Sequence, residues 1–181
     1  PFIYQKLEDF IKKYYTNELI RGLLLFTGFG LLYFLFTIFI EYFLWLKPLG
    51  RTLLFCAFVC VEVFLLFRFI MFPLFKLFKI QKGIDYKEAS RIIGNHFTEV
   101  NDKLTNFLQL SSTTNEIEQS ELMLASIEQK ANSLQLIPFS NAINFSANKK
   151  YLPLALIPIL FFLVFYISGN GGILSQSLNR V

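Results

Sequence analysis

The sequence predicts an all-α membrane protein with three transmembrane helices and a small cytoplasmic helical domain between the second and the third. Of its 181 residues, 54% are hydrophobic, 23 are Phe and only 17% are charged, whereas soluble domains carry about 25% charged residues. The apolar residues are concentrated in three long runs, and most charges lie between them. This composition excludes a disordered chain, a collagen-like chain and a disulfide scaffold.

The first two apolar runs predict a transmembrane hairpin. Residues 22–46 contain one charge and residues 52–75 contain two. At about 1.5 Å per residue, each run is long enough to cross a hydrocarbon core of about 30 Å. Residues 47–51 separate the two runs with a short polar break. The third run, residues 151–167, has no charge and predicts a third span at the lower limit of length.

The distribution of Lys and Arg predicts the orientation of these spans. Thirteen of the 17 lie in residues 1–21 and 76–150, and three lie beyond the opposite ends of the spans. The positive-inside rule therefore places the N-terminus and residues 76–150 in the cytoplasm, and residues 168–181 outside as a flexible periplasmic linker. The predicted localisation is the bacterial inner membrane. The net charge of +4 reflects this asymmetry, and nucleic acid is not a predicted partner.

The chain starts without Met and stops shortly after the third apolar run. We therefore expect it to be part of a longer polypeptide, with the periplasmic linker leading to a further C-terminal region.

Residues 1–21 predict an amphipathic cytoplasmic helix. Ile3, Leu7 and Phe10 recur at helical spacing, with charged residues on the other faces. This helix is expected either to lie on the membrane surface or to pack on the cytoplasmic domain, and the sequence does not decide between the two.

Residues 76–150 predict a cytoplasmic domain built from three helices. Asp85 and Glu88 form a capping-box pattern at the start of the first, residues 99–110 form the second, and residues 115–134 contain a repeated cap signal and the third. So short a domain has a small hydrophobic core, and we expect it to pack against the membrane helices or a partner protein.

Sequence runs in this domain resemble a known family. The runs are IGNHFTEVNDKL over residues 93–104, LQL over 108–110, SEL over 120–122 and ASIEQK over 125–130. They are similar to the N-terminal membrane region of large, functionally uncharacterised inner-membrane proteins of Bacteroidetes, in which three N-terminal helices precede a long periplasmic region. Thr98 departs from that pattern, in which Pro is more usual. The resemblance implies a membrane anchor for a large cell-envelope protein, and it transfers no catalytic residue.

Glu62 lies near the middle of the second predicted span, where an acidic side chain costs several kcal/mol unless it is neutralised or paired. Measured from the predicted span ends, Thr37 lies at a similar depth in the first span. We therefore predict a Glu62–Thr37 hydrogen bond, with a cation from a partner subunit as the alternative. Glu41, closer to the outer surface, is expected to be hydrated and to have no special role.

Other polar and small residues of the hairpin have simpler interpretations. Arg68 is close enough to the cytoplasmic end of its span to extend its guanidinium to the interface. Gly28 and Gly30 allow another backbone to approach the first helix, but they face different ways and do not form a GxxxG seam.

Three lysines that alternate with apolar residues after the second span predict contact with lipid headgroups: Lys76, Lys79 and Lys82.

The sequence contains no recognisable catalytic constellation, and neither a cofactor nor a metal site is predicted. Cys56 and Cys60 are interpreted as small packing residues. The leading functional hypothesis is a non-enzymatic anchor and scaffold module that binds the lipid bilayer and other proteins of an envelope complex. The alternative is a subunit of a proton-driven transport, secretion or motor complex in which Glu62 titrates. A membrane enzyme is disfavoured.

Overall fold

The computed structural model describes residues 2–113 and 121–180, and every regular element in these ranges is helical. The first part of the chain forms α1 (Phe2–Leu44), α2 (Pro48–Leu66), a π-helical segment (Phe67–Met71) and α3 (Phe72–Leu77). The middle forms α4 (Tyr86–His96), α5 (Thr98–Thr113) and α6 (Glu121–Gln135). Two 3-10 segments, Phe139–Ala142 and Phe145–Tyr151, lead to α7 (Leu152–Phe165), a second π-helical segment (Tyr166–Asn170) and α8 (Gly171–Arg180).

Three helical stretches are long and apolar enough to cross a membrane. They are Phe2–Leu44, Pro48–Leu77 and Phe139–Gly169, with mean hydropathies of 2.3, 2.5 and 2.3 in their most apolar windows. The helical fold class and the three apolar helices are therefore confirmed. The second and third stretches extend beyond the predicted runs at both ends. The amphipathic helix expected over residues 1–21 continues without a break into the first apolar run.

The chain divides into two compact units. Unit 1 contains Pro1–Asn17 and Lys76–Asn144, and unit 2 contains Glu18–Phe75 and Phe145–Val181. Helix α1 contributes its first turns to unit 1 and the rest to unit 2.

The first turns of α1 form part of the core of unit 1. Ile3, Leu7 and Phe10 are fully buried, and the ring of Tyr4 contacts that of Phe107 in α5, with 5.9 Å between the centroids. Of the two arrangements that the sequence left open, the structure therefore has the packed one. The small domain gains a fourth helix, which thickens its core.

Local signals predicted the start of α4 correctly. The Asp85 carboxylate accepts a hydrogen bond from the Glu88 backbone N–H at 2.7 Å, which is the expected N-cap. Helix α4 buries Ala89 and Ile93, as its periodicity indicates. The cap predicted for the third helix, within residues 115–118, lies outside the described residues.

Lys6 connects the start of the chain to the end of α6. Its Nζ donates hydrogen bonds to the carbonyl oxygens of Leu134, Gln135 and Ile137 at 3.1, 2.7 and 2.6 Å, and it lies 4.6 Å from the ring centroid of Phe139. Carbonyls at a helix C-terminus lack intrahelical donors and favour a cation. Partial burial lowers the pKa of Lys6.

Replacing Lys6 with methionine is expected to lower the free energy of unfolding by about 2 kcal/mol, the size expected for hydrogen bonds to a charged donor. Met preserves the length and packing of the stem but cannot donate to the three carbonyls. The measurement is SDS-induced unfolding of the purified chain, followed by circular dichroism. Lys103→Met, an exposed change on α5, is the control, and equal losses in both variants would contradict the role of Lys6.

In unit 2, glycines let the helices approach closely. A Cβ at Gly28 would lie 2.9 Å from the carbonyl oxygen of Leu154 in α7, and a Cβ at Gly30 would instead meet α2. The prediction that these two glycines face different ways is confirmed. A Cβ at Gly22 would clash with the backbone carbonyl oxygen of Phe69, in the first π-helical segment.

The C-terminal residues differ from the predicted flexible linker. The backbone leaves helical geometry at Gly169, where φ is +79°, a value that favours glycine. The chain then resumes as α8, a helix of 10 residues.

Candidate functional site

The most unusual polar group in unit 2 is the carboxylate of Glu62, which lies against the backbone of α1. A Cβ built on Gly30 would be 3.0 Å from Glu62 Oε2 and 3.2 Å from Oε1. Both residues lie about 21 Å along their helices from the turn between α1 and α2, at 1.5 Å per residue. The missing side chain of Gly30 therefore makes the space that the carboxylate occupies.

This carboxylate has no polar partner among the described residues. Glu62 Oε1 is shielded from solvent and accepts no hydrogen bond there, and none of the ion pairs formed by the described residues includes Glu62. A buried polar atom without a partner is costly in a protein interior. The ionised form of Glu62 thus needs a donor from outside the described residues.

The predicted Glu62–Thr37 hydrogen bond is wrong. Thr37 is buried, but its hydroxyl donates to the Tyr33 carbonyl oxygen of its own helix at 3.0 Å. The error comes from the span ends used to estimate depth. Helix α1 ends at Leu44 and α2 begins at Pro48, which moves the residue opposite Glu62 by about two turns, to Gly30.

Arg68 lies in the first π-helical segment and is exposed. Within the part of the chain that the structure describes, it forms no ion pair. The expectation that its guanidinium extends to a lipid interface stays a prediction.

An ion pair between Glu41 and Arg51 joins the ends of α1 and α2. Arg51 Nε lies 2.9 Å from Glu41 Oε1, and the Glu41 side chain is only 1% exposed. The two groups meet as charges without the alignment of a hydrogen bond. The sequence analysis missed this pair because it treated Glu41 as hydrated, although the two residues lie at equal distances from the turn, a pattern that indicates contact across an antiparallel hairpin.

Unit 1 contains a concave basic surface of about 330 Å³, called here the lysine groove. Its charged lining comes from both chain segments of the unit: Glu8, Lys12, Lys76, Lys79, Lys82 and Asp85. The structure therefore brings together the three lysines predicted to contact lipid headgroups, and it adds Lys12 from α1. No sequence pattern connects Lys12 to the other three, because the contact depends on the packing of α1.

A small polar network lies at one side of the lysine groove. Glu8 Oε1 accepts a hydrogen bond from the Tyr86 hydroxyl at 3.1 Å, and Lys79 Nζ lies 3.5 Å from the same oxygen. The Tyr86 hydrogen bond and the positive charge of Lys79 hold the pKa of Glu8 below its usual range. Burial and the hydrogen bond to Glu8 raise the pKa of Tyr86.

Lys79 adopts a strained backbone, with φ of +58°. A residue with a side chain pays roughly 1–2 kcal/mol for this left-handed conformation. Its backbone N–H donates to the Lys76 carbonyl oxygen at 3.2 Å, which closes the turn after α3. The turn places the Lys79 ammonium beside Glu8 at the groove.

In the described part of the chain, no three His, Cys, Asp or Glu side chains are grouped so that they could hold a metal ion. Cys56 and Cys60 are exposed on α2 as free thiols, so they do not belong to a packed core of the described residues. Both lie on the exposed, apolar surface of that helix.

Comparison of the chain with protein-family models, with curated proteins and with solved structures finds no match. The resemblance to the Bacteroidetes inner-membrane family therefore stays a prediction.

Proposed function

We propose that this chain is a non-enzymatic membrane anchor and interaction module of a larger cell-envelope protein or complex. The observation that carries this proposal is the bare apolar surface of unit 2. Helix α2 buries none of its residues, and the most apolar window of Pro48–Leu77 is 0% buried at a mean hydropathy of 2.5. Such a surface is stable only against lipid or other apolar helices.

The proposed orientation puts unit 1 in the cytoplasm and the C-terminal residues in the periplasm of a bacterial inner membrane. The excess of Lys and Arg in residues 1–21 and 76–150 supports it. Unit 1 then serves as a folded module on the cytoplasmic side, and the three apolar helices anchor it in the membrane.

Glu62 is the proposed contact with a partner helix. Its Oε1 is without a donor among the described residues, while the neighbouring surface of α2 is uncovered. A partner that supplies a hydrogen-bond donor or a cation satisfies the carboxylate and covers apolar surface in the same step.

The same carboxylate supports a second candidate function. An acidic group deep in an apolar helix, with no partner among the residues that the structure describes, is the arrangement of a proton-relay residue. In this alternative the chain is a subunit of a proton-driven transport, secretion or motor complex, and Glu62 gains and loses a proton during each cycle.

Purification of the full protein from its native membrane with variants of Glu62 tests these candidates. Glu62→Gln keeps the side-chain volume and can exchange hydrogen bonds, so the same set of partner proteins is expected to co-purify as with the wild type. Glu62→Leu, which can neither donate nor accept a hydrogen bond, is expected to reduce the amount of co-purified partner by about tenfold, since a hydrogen bond between membrane helices contributes on the order of 1–2 kcal/mol.

Cys60→Ser, a mild change on an exposed position of the same helix, is the control. An ion-dependent activity that disappears in Glu62→Gln while the complex stays intact would replace the anchor proposal with the proton-driven alternative. Full retention of partners in Glu62→Leu would remove Glu62 from the interface.

A further inference from the structure

We propose that the lysine groove binds the phosphodiester headgroup of an anionic phospholipid. The inference deepens the proposed function, on which it rests, because it requires unit 1 to lie at a membrane surface. It assigns the groove a ligand class. It also adds Lys12, Tyr15 and Gly83 to the three lysines that the sequence singled out.

The charges of the groove leave a positive surplus. Four lysines face two carboxylates, and both carboxylates are already engaged. Glu8 pairs with Lys79 and Tyr86, while Asp85 caps α4.

Lys76 and Lys82 carry much of this surplus. Neither has a carboxylate within 4.0 Å among the described residues. A phosphodiester supplies oxygen acceptors and the missing negative charge, and lysine binds phosphate as a compact point charge.

The shape of the groove also suits a headgroup. Its uncharged lining includes the rings of Tyr15 and Tyr86 and the apolar side chains of Ile11 and Leu77. Aromatic and apolar walls next to cations match a ligand whose phosphate is attached to a glycerol backbone. The Tyr15 hydroxyl accepts a hydrogen bond from the Ile84 N–H at 2.7 Å, which fixes one wall.

Gly83 completes that wall. A Cβ at Gly83 would lie 2.7 Å from the Tyr15 hydroxyl oxygen, so any side chain there displaces the Tyr15 ring. The shape of the groove can therefore be altered without changing its charge.

Two exposed apolar residues favour lipid over a free anion. Phe78 and Ile80 are 67% and 73% exposed, and they alternate with the groove lysines along the chain. Exposed apolar side chains contribute nothing to the binding of a soluble phosphate. At a bilayer surface they enter the interface while the lysines contact headgroups. Lys76 also lies in the last turn of the second apolar stretch, Pro48–Leu77.

The test is native mass spectrometry of the full chain in detergent, with phosphatidylglycerol, phosphatidylcholine or inorganic phosphate added. We expect phosphatidylglycerol to be retained at least about tenfold more strongly than phosphatidylcholine. The variant Lys76→Gln/Lys79→Gln/Lys82→Gln should weaken retention by on the order of 100-fold, since each lysine near an anionic surface contributes about fivefold.

The variant Lys87→Gln/Lys103→Gln/Lys130→Gln removes the same charge from unit 1 outside the groove and should bind like the wild type. Gly83→Ala, which keeps all charges, should weaken retention through the displaced Tyr15 ring. Equal losses in the two triple variants, or equal retention of the two lipids, would overturn the proposal. If millimolar inorganic phosphate displaces phosphatidylglycerol, the ligand of the groove is a free anion and the lipid proposal is wrong.

Carbonate extraction of native membranes distinguishes a failure of the membrane-anchor proposal from a failure of the groove proposal. If the wild-type protein is extracted, the membrane-anchor proposal fails. If it stays in the membrane and shows no preference for phosphatidylglycerol, the groove proposal alone fails.

Discussion

Gly22→Ala is expected to lower the free energy of unfolding by about 3 kcal/mol, the upper end of the range for overpacking. The added methyl group would clash with the Phe69 carbonyl oxygen. That atom belongs to the backbone of the π-helical segment Phe67–Met71 and cannot rotate away as a side chain does. The helices must therefore separate, which weakens packing along the contact between α1 and the second apolar helix.

This loss opposes an intrinsic effect of the substitution. Ala is more favourable than Gly in a helix by about 1 kcal/mol, so a position without a steric conflict should gain stability or stay unchanged. Gly172→Ala in α8 is such a position, because a Cβ there meets nothing within 4 Å.

SDS-induced unfolding of both glycine variants, followed by circular dichroism, separates the two effects. If Gly22→Ala unfolds at the same SDS fraction as the wild type and Gly172→Ala, the helices do not touch at Phe69.

Arg51→Met is expected to cost about 3 kcal/mol, the lower end of the range for breaking a buried ion pair. The Glu41 side chain is 1% exposed, and its neighbour Arg51 is 29% exposed. Removing the guanidinium leaves the carboxylate without its charge partner, whereas the partly exposed arginine itself has access to water. The loss of stability therefore comes from the buried Glu41 carboxylate, whose negative charge no longer has a partner.

The double variant Glu41→Leu/Arg51→Met is expected to regain most of that loss, because removing both charges also removes the desolvation cost. Lys47→Met, in the exposed turn between the helices, controls for the loss of one positive charge. The same SDS titration applies. A loss in Arg51→Met no larger than in Lys47→Met would show that the ion pair contributes nothing.

The sequence predicted the features of this fold that depend on neighbouring residues. The apolar runs predicted the three long helices, since length and hydropathy are local properties. The pattern at Asp85 and Glu88 predicted the start of α4, because a capping box spans only one turn.

Features that depend on register or on distant residues were not predicted. An error of a few residues in the helix ends placed Thr37, in place of Gly30, opposite Glu62. The Lys6 hydrogen bonds connect residues 128 to 131 positions apart, and no periodicity extends over that distance. The lysine groove combines Lys12 with residues from the end of α3 onward, and it was not predicted for the same reason.

Because synthesis runs from the N-terminus, the hydrogen bonds of Lys6 can form only late in the folding of the chain. Its acceptors, the carbonyls of Leu134, Gln135 and Ile137, leave the ribosome long after the first helix. Until then, the apolar face formed by Ile3, Leu7 and Phe10 lacks α4, α5 and α6 as a cover. Both helices of the apolar hairpin are synthesised in that interval. The nascent chain thus presents two of its three long apolar stretches before unit 1 can close. Early capture of the hairpin, by lipid or by a chaperone, is therefore a condition for correct folding.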